Sequence, residues 1–176
     1  MSGPMFEGVW DGGQTWEIYL SPVMPDVSLC SAVACIAIHD LAREEVVLTR
    51  NPRGWEILAG HIEQGETPVE AMQREALEEG GFAVKRHELF GYRKVTATER
   101  RGAPGQRGTY SFPISYILHY YAFSDSERVK EFGEEVTDSR VFTLDQIREL
   151  VRTGQTSETD LAIIESGLAS AKAAAH

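Results

Sequence analysis

The sequence predicts a mixed α/β fold. Stretches rich in β-branched and aromatic residues come before, between and after three helical segments, so the chain must build a sheet covered by helices. The order lacks the strict strand–helix alternation of a doubly wound parallel sheet. At 176 residues the chain is long enough for one domain with a real core and short for two, so a single domain over residues 1–176 is expected.

In chain order, Phe6 to Leu20 reads as two short strands around Asp11-Gly12-Gly13, an N-terminal hairpin within residues 1–20. Trp10 and Trp16 flank its turn and are expected to pack, with a dimer contact or base stacking as functional alternatives. Ser21 to Asp26, with Pro22 and Pro25, is a connector. Val27 to His39 is a near-continuous apolar β-rich run, the pattern of a strand buried on both faces. Val46 to Thr49 follows as another strand across a charged turn. Arg50 to Gly54 is a loop whose Arg53 is a candidate phosphate contact, and Trp55 to Leu58 is a short strand leading into Gly60.

Beyond the helix discussed below, Ala83 to Thr98 is strand-like, with a bend or bulge at Phe90-Gly91-Tyr92. Thr98 to Gly108 is a glycine-bearing loop in which Arg100, Arg101 and Arg107 concentrate positive charge, a candidate substrate loop. Tyr110 to Phe123 is the second long β run, with Pro113 marking an edge or bulge. Asp138 to Phe142 is the last strand. Thr143 to Gln146 is a capping box opening a helix with Leu144, Ile147, Leu150 and Val151 on one face. A C-terminal helix within residues 156–176 carries Leu161, Ile164 and Leu168 as its buried stripe.

The net charge of −10 argues against non-specific binding to nucleic acid or to an anionic membrane, so an anionic substrate needs local positive charge or a metal. Cys30 and Cys35 fit no zinc or redox spacing and are expected to be reduced core thiols. Met1 to Leu20 has neither a basic n-region nor an apolar h-region, and the longest apolar run falls short of the ~18–20 residues a membrane span needs, so a cytoplasmic protein is expected.

The chain is organised around Gly60 to Phe82. Thr67, Pro68 and Glu70 take the N-cap, N1 and N3 positions of a helix, and Gly80-Gly81 stops it. Val69, Met72 and Ala76 form its apolar stripe, with Leu77 at the edge, and Glu75, Glu78 and Glu79 gather beside it at i, i+3 and i+4. Like charges at that spacing repel by about 0.2–0.5 kcal/mol per pair. Anions in a last helical turn oppose the dipole by about 0.3–1 kcal/mol each. A solvated acidic face is the plain alternative; a bound cation is the reading that explains the crowding, and hard oxygen donors suit magnesium or manganese.

The spacing of Gly60, Glu66, Arg74-Glu75, Glu78-Glu79 and Gly81-Phe82, with small Ala76, resembles the Nudix box of the Nudix hydrolases, over 23 of the 176 residues. The resemblance implies an α/β/α sandwich with a mixed sheet, and metal-dependent cleavage of a nucleoside diphosphate linked to a further group X. It implies Glu75 and Glu79 as principal metal ligands, with Glu78 completing the site or adding a second metal and the Gly60 carbonyl contributing. Arg74 is expected on the side of the helix away from the metal face, within reach of the preceding loop, and the resemblance implies that it pairs with Glu66 to hold that loop. The proton acceptor is expected at Glu134 or Glu135. His61 occupies a variable box position and is expected to face solvent; His39, His87 and His119 show no ligand spacing and are assigned nothing.

Ala59 before the box glycine is similar to the ADP-ribose and nucleotide-sugar branch, although Leu58 stands where proline is common and the downstream branch markers and coenzyme A motif are absent. A triphosphate-sanitising hydrolase is the alternative substrate class. A non-catalytic nucleotide sensor is the alternative function, and RNA decapping is opposed by the acidic charge. All four box glutamates are present, which favours catalysis. The family's many homodimers imply a dimer, with the N-terminal hairpin as its contact.

Overall fold

The computed structural model describes residues 3–10, 13–99, 110–128 and 138–175. Among them run the strands β1 (Phe6–Trp10), β2 (Gln14–Leu20), β3 (Cys30–Asp40), β4 (Glu45–Asn51), β5 (Gly54–Glu56), β6 (Leu58–His61), β7 (Phe82–Thr96), β8 (Ile114–Arg128) and β9 (Asp138–Thr143). The helices are α1 (Pro68–Glu78), α2 (Leu144–Arg152) and α3 (Glu158–Ala174).

β3 is the axis of the sheet. Successive strand residues point to opposite faces, and both faces of β3 are apolar. Ala32, Ala34, Ile36 and Ile38 enter one core with Ile147 of α2 and Ile163, Ile164 and Leu168 of α3. Val33, Cys35 and Ala37 enter the other with Ala71, Met72 and Ala76 of α1. The apolar run therefore means what it is expected to mean, a strand covered on both sides, and the α/β/α sandwich with a mixed sheet is borne out. β3 runs parallel to β8, from Val33↔Leu118 to Ile38↔Phe123. The remaining ladders are antiparallel, in the order β1-β2-β7-β8-β3-β4-β5.

The other edge of β3 is divided. Ile38 pairs with Val46 of β4, whereas Ala32 to Cys35 pair with β6. The chain leaves β4 through β5 (Arg50↔Trp55) and crosses to β3 as β6 (Val33↔Gly60), which lays Gly60 on the face that α1 covers. The expected strand from Trp55 to Leu58 is thus two strands broken at Ile57, because its ends belong to different partners.

The expected strand start at Val27 is instead a short 3-10 turn, Val27–Leu29. The Asp26 carboxylate accepts hydrogen bonds from the Ser28 N–H (3.0 Å) and hydroxyl (2.7 Å), and this local capping outcompetes extension. Register shifts between Leu89 and Gly91 match the bulge expected at Phe90-Gly91-Tyr92. Cys35 is buried and Cys30 half-buried, both unoxidised. In α3 the buried stripe includes Ile163 beside Ile164 and Leu168, while Leu161 is only partly covered. No helix among the described residues is long and apolar enough to cross a membrane.

Candidate active site

The acidic helix is fixed at both ends by local hydrogen bonds. At its start the Glu70 N–H donates to Thr67 Oγ1 (3.2 Å) and the Thr67 N–H donates to Glu70 Oε2 (2.8 Å), the reciprocal pair the sequence predicts. At its end Gly81 takes φ 75° and its N–H donates to the Leu77 carbonyl at 3.0 Å. The Gly80 carbonyl accepts the Ser139 hydroxyl of β9 at 2.8 Å, and no basic residue occupies the last turn.

Against β6, the carboxyl of Glu75 packs onto Gly60. A Cβ built at Gly60 would lie 1.9 Å from Glu75 Oε1, so only glycine lets this buried carboxylate (7% exposed) reach the strand. One turn later, Glu79 Oε2 accepts the Ala59 N–H at 2.9 Å. Glu75 and Glu79 thus address adjacent residues of the same strand.

Arg74 is the hub. Its Nε and Nη2 grip Glu66 at 2.7 and 3.0 Å, and Nη2 also donates to the His61 carbonyl at 2.9 Å. Glu66 Oε2 accepts the Glu63 N–H as well, so the loop from β6 to α1 is fastened to the helix. The guanidinium holds the Glu66 carboxyl below the usual carboxylate range, and the same pairing raises Arg74 further above its ordinary value. One expectation needs correction. Arg74 is not segregated from the acidic face: its Nη1 donates to Glu75 at 2.6 Å and to Glu78 at 3.2 Å. The helical wheel sets where a side chain starts, but arginine is long enough to swing towards the crowded carboxylates.

Glu75, Glu78 and Glu79, with the nearby Gly60 carbonyl, are the residues that could hold a divalent cation. Their oxygen donors suit magnesium or manganese, and the missing Cβ at Gly60 gives Glu75 access to the strand backbone. As placed, no three His, Cys, Asp or Glu side chains among the described residues are arranged to grip a metal. Glu75 and Glu78 are on Arg74, and Glu79 is on Ala59, so a cation has to draw them together.

Glu134, Glu135, Arg100, Arg101 and Arg107 lie outside the described residues. Arg53 points along a cavity edge and forms a two-pronged pair with Glu56, both contacts at 2.9 Å. His61 does not simply face solvent: it is half-buried, with its ring edge-on to Tyr110 at 5.3 Å.

No local pattern in the sequence marks a cavity of about 800 Å³ on the opposite face of the sheet, between the N-terminal hairpin and the start of α3. Small Ala34 and Ala59, paired across β3 and β6, leave space in its floor beside Ile117 and His119. Trp10, Trp16 and Trp55, with Arg93, form walls, and Ser157 and Asp160 close one side. The Arg93 guanidinium lies over the Trp10 and Trp16 rings at 5.5 and 5.1 Å. Gly8 allows this, since a Cβ there would meet the Trp16 ring at 2.5 Å.

Burial lowers Arg93 and pushes His119 down to about 3, so the imidazole is neutral. Burial raises Asp160, against the opposing pull of Ser157 and Arg93. Arg93 Nε, Trp16 Nε1 and His119 Nδ1 are buried without a hydrogen-bond partner among the described residues. Each such group costs about 1–3 kcal/mol. Cavity and acidic helix meet at Ala59, which lines the one and donates its N–H to Glu79 of the other.

A mixed sheet between helices, with a glutamate-rich helix seated on a glycine-bearing strand and its leading loop clamped by arginine, defines a Nudix-type domain. The NUDIX domain model matches residues 29–160, and the chain belongs to the Nudix family. It is similar to the NAD-capped RNA hydrolase NudC of Vibrio cholerae, 25% identical over 77% of this chain and 45% of that protein. It is also similar to Nudix hydrolase 19, chloroplastic, of Arabidopsis thaliana, 25% identical over 70% of this chain and 27% of that protein. The chain therefore spans less than half the length of these relatives. Among solved structures, a point mutant of the pyrophosphohydrolase BsRppH of Bacillus subtilis superposes with a TM-score of 0.58 at 21% identity, covering 78% of this chain and 77% of that one. A NUDIX hydrolase from Nitrosomonas europaea gives 0.54 at 22% identity, over 80% and 90%.

Proposed function

We propose that the protein is a divalent-metal-dependent pyrophosphohydrolase that cleaves a nucleoside diphosphate linked to a group X, releasing a nucleoside monophosphate and phospho-X. The observation that carries this reading is the docking of Glu75 and Glu79 onto Gly60 and Ala59, which brings two carboxylates and strand backbone to one place.

Glu75, Glu79, Glu78 and the Gly60 carbonyl would hold magnesium or manganese, which when bound would neutralise phosphate charge and activate water. Arg74 and Glu66 position these ligands by fixing the loop before the helix. In this reading Glu134 or Glu135 takes the proton from the attacking water, and Arg53, Arg100, Arg101 and Arg107 are contacts for the substrate's phosphates.

Ala59 before Gly60 favours ADP-ribose or a nucleotide-sugar over a nucleoside triphosphate. The relatives named for NAD-capped RNA add NAD-type dinucleotides to the same chemical class, since they too join a nucleoside diphosphate to a second group. The charge of −10 favours a small nucleotide over an RNA body. A homodimer through the hairpin and a cytoplasmic location complete the proposal; β1 at the sheet edge leaves Phe6 and Val9 exposed.

The test is a panel of ADP-ribose, nucleotide-sugars, NAD-type dinucleotides and nucleoside triphosphates with magnesium or manganese, read by phosphatase-coupled phosphate release. Turnover of the linked diphosphates ahead of the triphosphates is expected. Turnover of none favours a nucleotide sensor and overturns the enzyme reading.

A further inference from the structure

We infer that Ser139 of β9 is a positioning residue for the metal-binding end of α1: its hydroxyl fixes the turn that carries Glu78 and Glu79 without adding a charge there. This rests on the proposed metal site and names a group outside the helix that sets it.

A helix that ends in carboxylates is electrostatically strained at its C-terminus. The last carbonyls carry partial negative charge, Glu78 and Glu79 stand beside them, and no basic residue occupies the turn. A lysine or arginine would stabilise that end, but it would also pair with carboxylates that a metal has to draw together. A neutral donor avoids the conflict. The Ser139 hydroxyl donates to the Gly80 carbonyl at 2.8 Å, so the helix end gains a hydrogen bond and no cation beyond Arg74.

The bond is made where it can move a metal ligand. Gly80 directly follows Glu79, whose carboxylate accepts the Ala59 N–H. Gly80 is also pressed onto β6: a Cβ there would lie 2.8 Å from Leu58 Cδ1 and 2.5 Å from the Ala76 carbonyl oxygen. The end of α1 is thus held by β6 and by β9, while its start is held by the capping box and the Arg74–Glu66 pair.

Ser139 is itself anchored in the sheet. It is fully buried and pairs with Thr49 of β4, which in turn pairs with β3. It shares a face of β9 with Val141, where alternation calls for an apolar side chain. A hydroxyl at such a position is costly unless it finds a partner, and the partner here is the backbone of the acidic helix. Thr49, directly opposite, also buries a hydroxyl, but its Oγ1 has no hydrogen-bond partner among the described residues. It is the natural control.

The experiment measures Mn2+ binding to the full chain without substrate, from the electron paramagnetic resonance signal of the free ion. Steady-state kinetics and thermal melting are followed on the same preparations. Ser139→Ala should weaken Mn2+ binding about tenfold and lower kcat by a similar factor, with KM little changed, as for other groups that orient metal ligands. Ser139→Thr keeps the hydroxyl and should return both towards wild type. Thr49→Val should leave both unchanged. Val141→Ala trims the same face of β9 and should lower the melting temperature at least as far as Ser139→Ala while retaining Mn2+ binding.

Unchanged Mn2+ affinity in a folded Ser139→Ala variant, or an equal loss of affinity in Val141→Ala, would overturn the inference. Mn2+ binding that depends on Ser139, without turnover on the substrate panel, would contradict only the proposed chemistry. A wild-type chain that binds no Mn2+ would contradict the metal site and this inference with it.

Discussion

The carboxyl of Glu75 rests on the Cα of Gly60 so closely that a methyl group there would lie 1.9 Å from Oε1. The strand and the helix are therefore matched at one residue, and the match places a buried carboxylate beside strand backbone that a helix alone could not supply. Gly60→Ala should displace Glu75 and cost about 1–3 kcal/mol of stability through overpacking. Turnover should fall by about 100-fold, as when a catalytic group is misplaced by about 1 Å. Denaturant unfolding and steady-state kinetics on one preparation check both effects.

Arg74 makes a two-pronged pair with Glu66 and also reaches Glu75 and Glu78. Lysine keeps the charge but has no planar fork to serve these partners together. Arg74→Lys should therefore lose about 10–100-fold in kcat or in apparent metal affinity, the usual range for groups that orient ligands. A magnesium titration of the activity of Arg74→Lys measures it, and wild-type behaviour would show that the charge alone suffices.

Two pH effects follow from burial and pairing. Arg74 depresses the Glu66 carboxyl, so this pair stabilises the fold above the unfolded-state value of about 4.3 and the contribution is lost as pH falls through the depressed folded-state value. Glu66→Gln should flatten the acid limb of the melting-temperature profile below about pH 4.3.

His119 behaves differently. Its folded form stays neutral down to about 3. The unfolded chain takes up a proton near about 6.5, so stability falls as pH drops from there, by up to about 1.4 kcal/mol per pH unit. His119→Gln should remove that slope in urea denaturation between about pH 6.5 and the acid limb of the fold.

The parts of the molecule that were legible in the sequence are those set by near neighbours. Thr67 and Glu70, or Thr143 and Gln146, are three residues apart and cap their helices wherever the rest of the chain goes. The unbroken apolar run of β3 implies two covered faces because alternate residues must both be buried. Glu66 and Arg74 belong to one helix and the loop before it, so their spacing carries their pairing.

The cavity has no such signature. Trp10, Trp16, Arg93, Ala34 and Ala59 come from five strands, and Asp160 from a helix, so their meeting depends on sheet register. An arginine at an alternating position in β7 is the one local hint, since Arg93 lies between Ile18 and Ile117 in register. The reach of Arg74 to Glu75 was hidden for another reason: helical position does not fix where a long side chain ends.

The central claim is that Glu75 and Glu79 form a metal-dependent phosphoanhydride-cleaving site on Gly60 and Ala59. Its most direct test is the magnesium- or manganese-dependent turnover of Glu79→Gln beside wild type, on the best substrate of the panel, with circular dichroism to verify the fold. The expected result is a folded variant whose turnover is lower by about 1,000-fold, the rate equivalent of losing several kcal/mol of metal-borne charge stabilisation. A folded Glu79→Gln variant with undiminished turnover would contradict it.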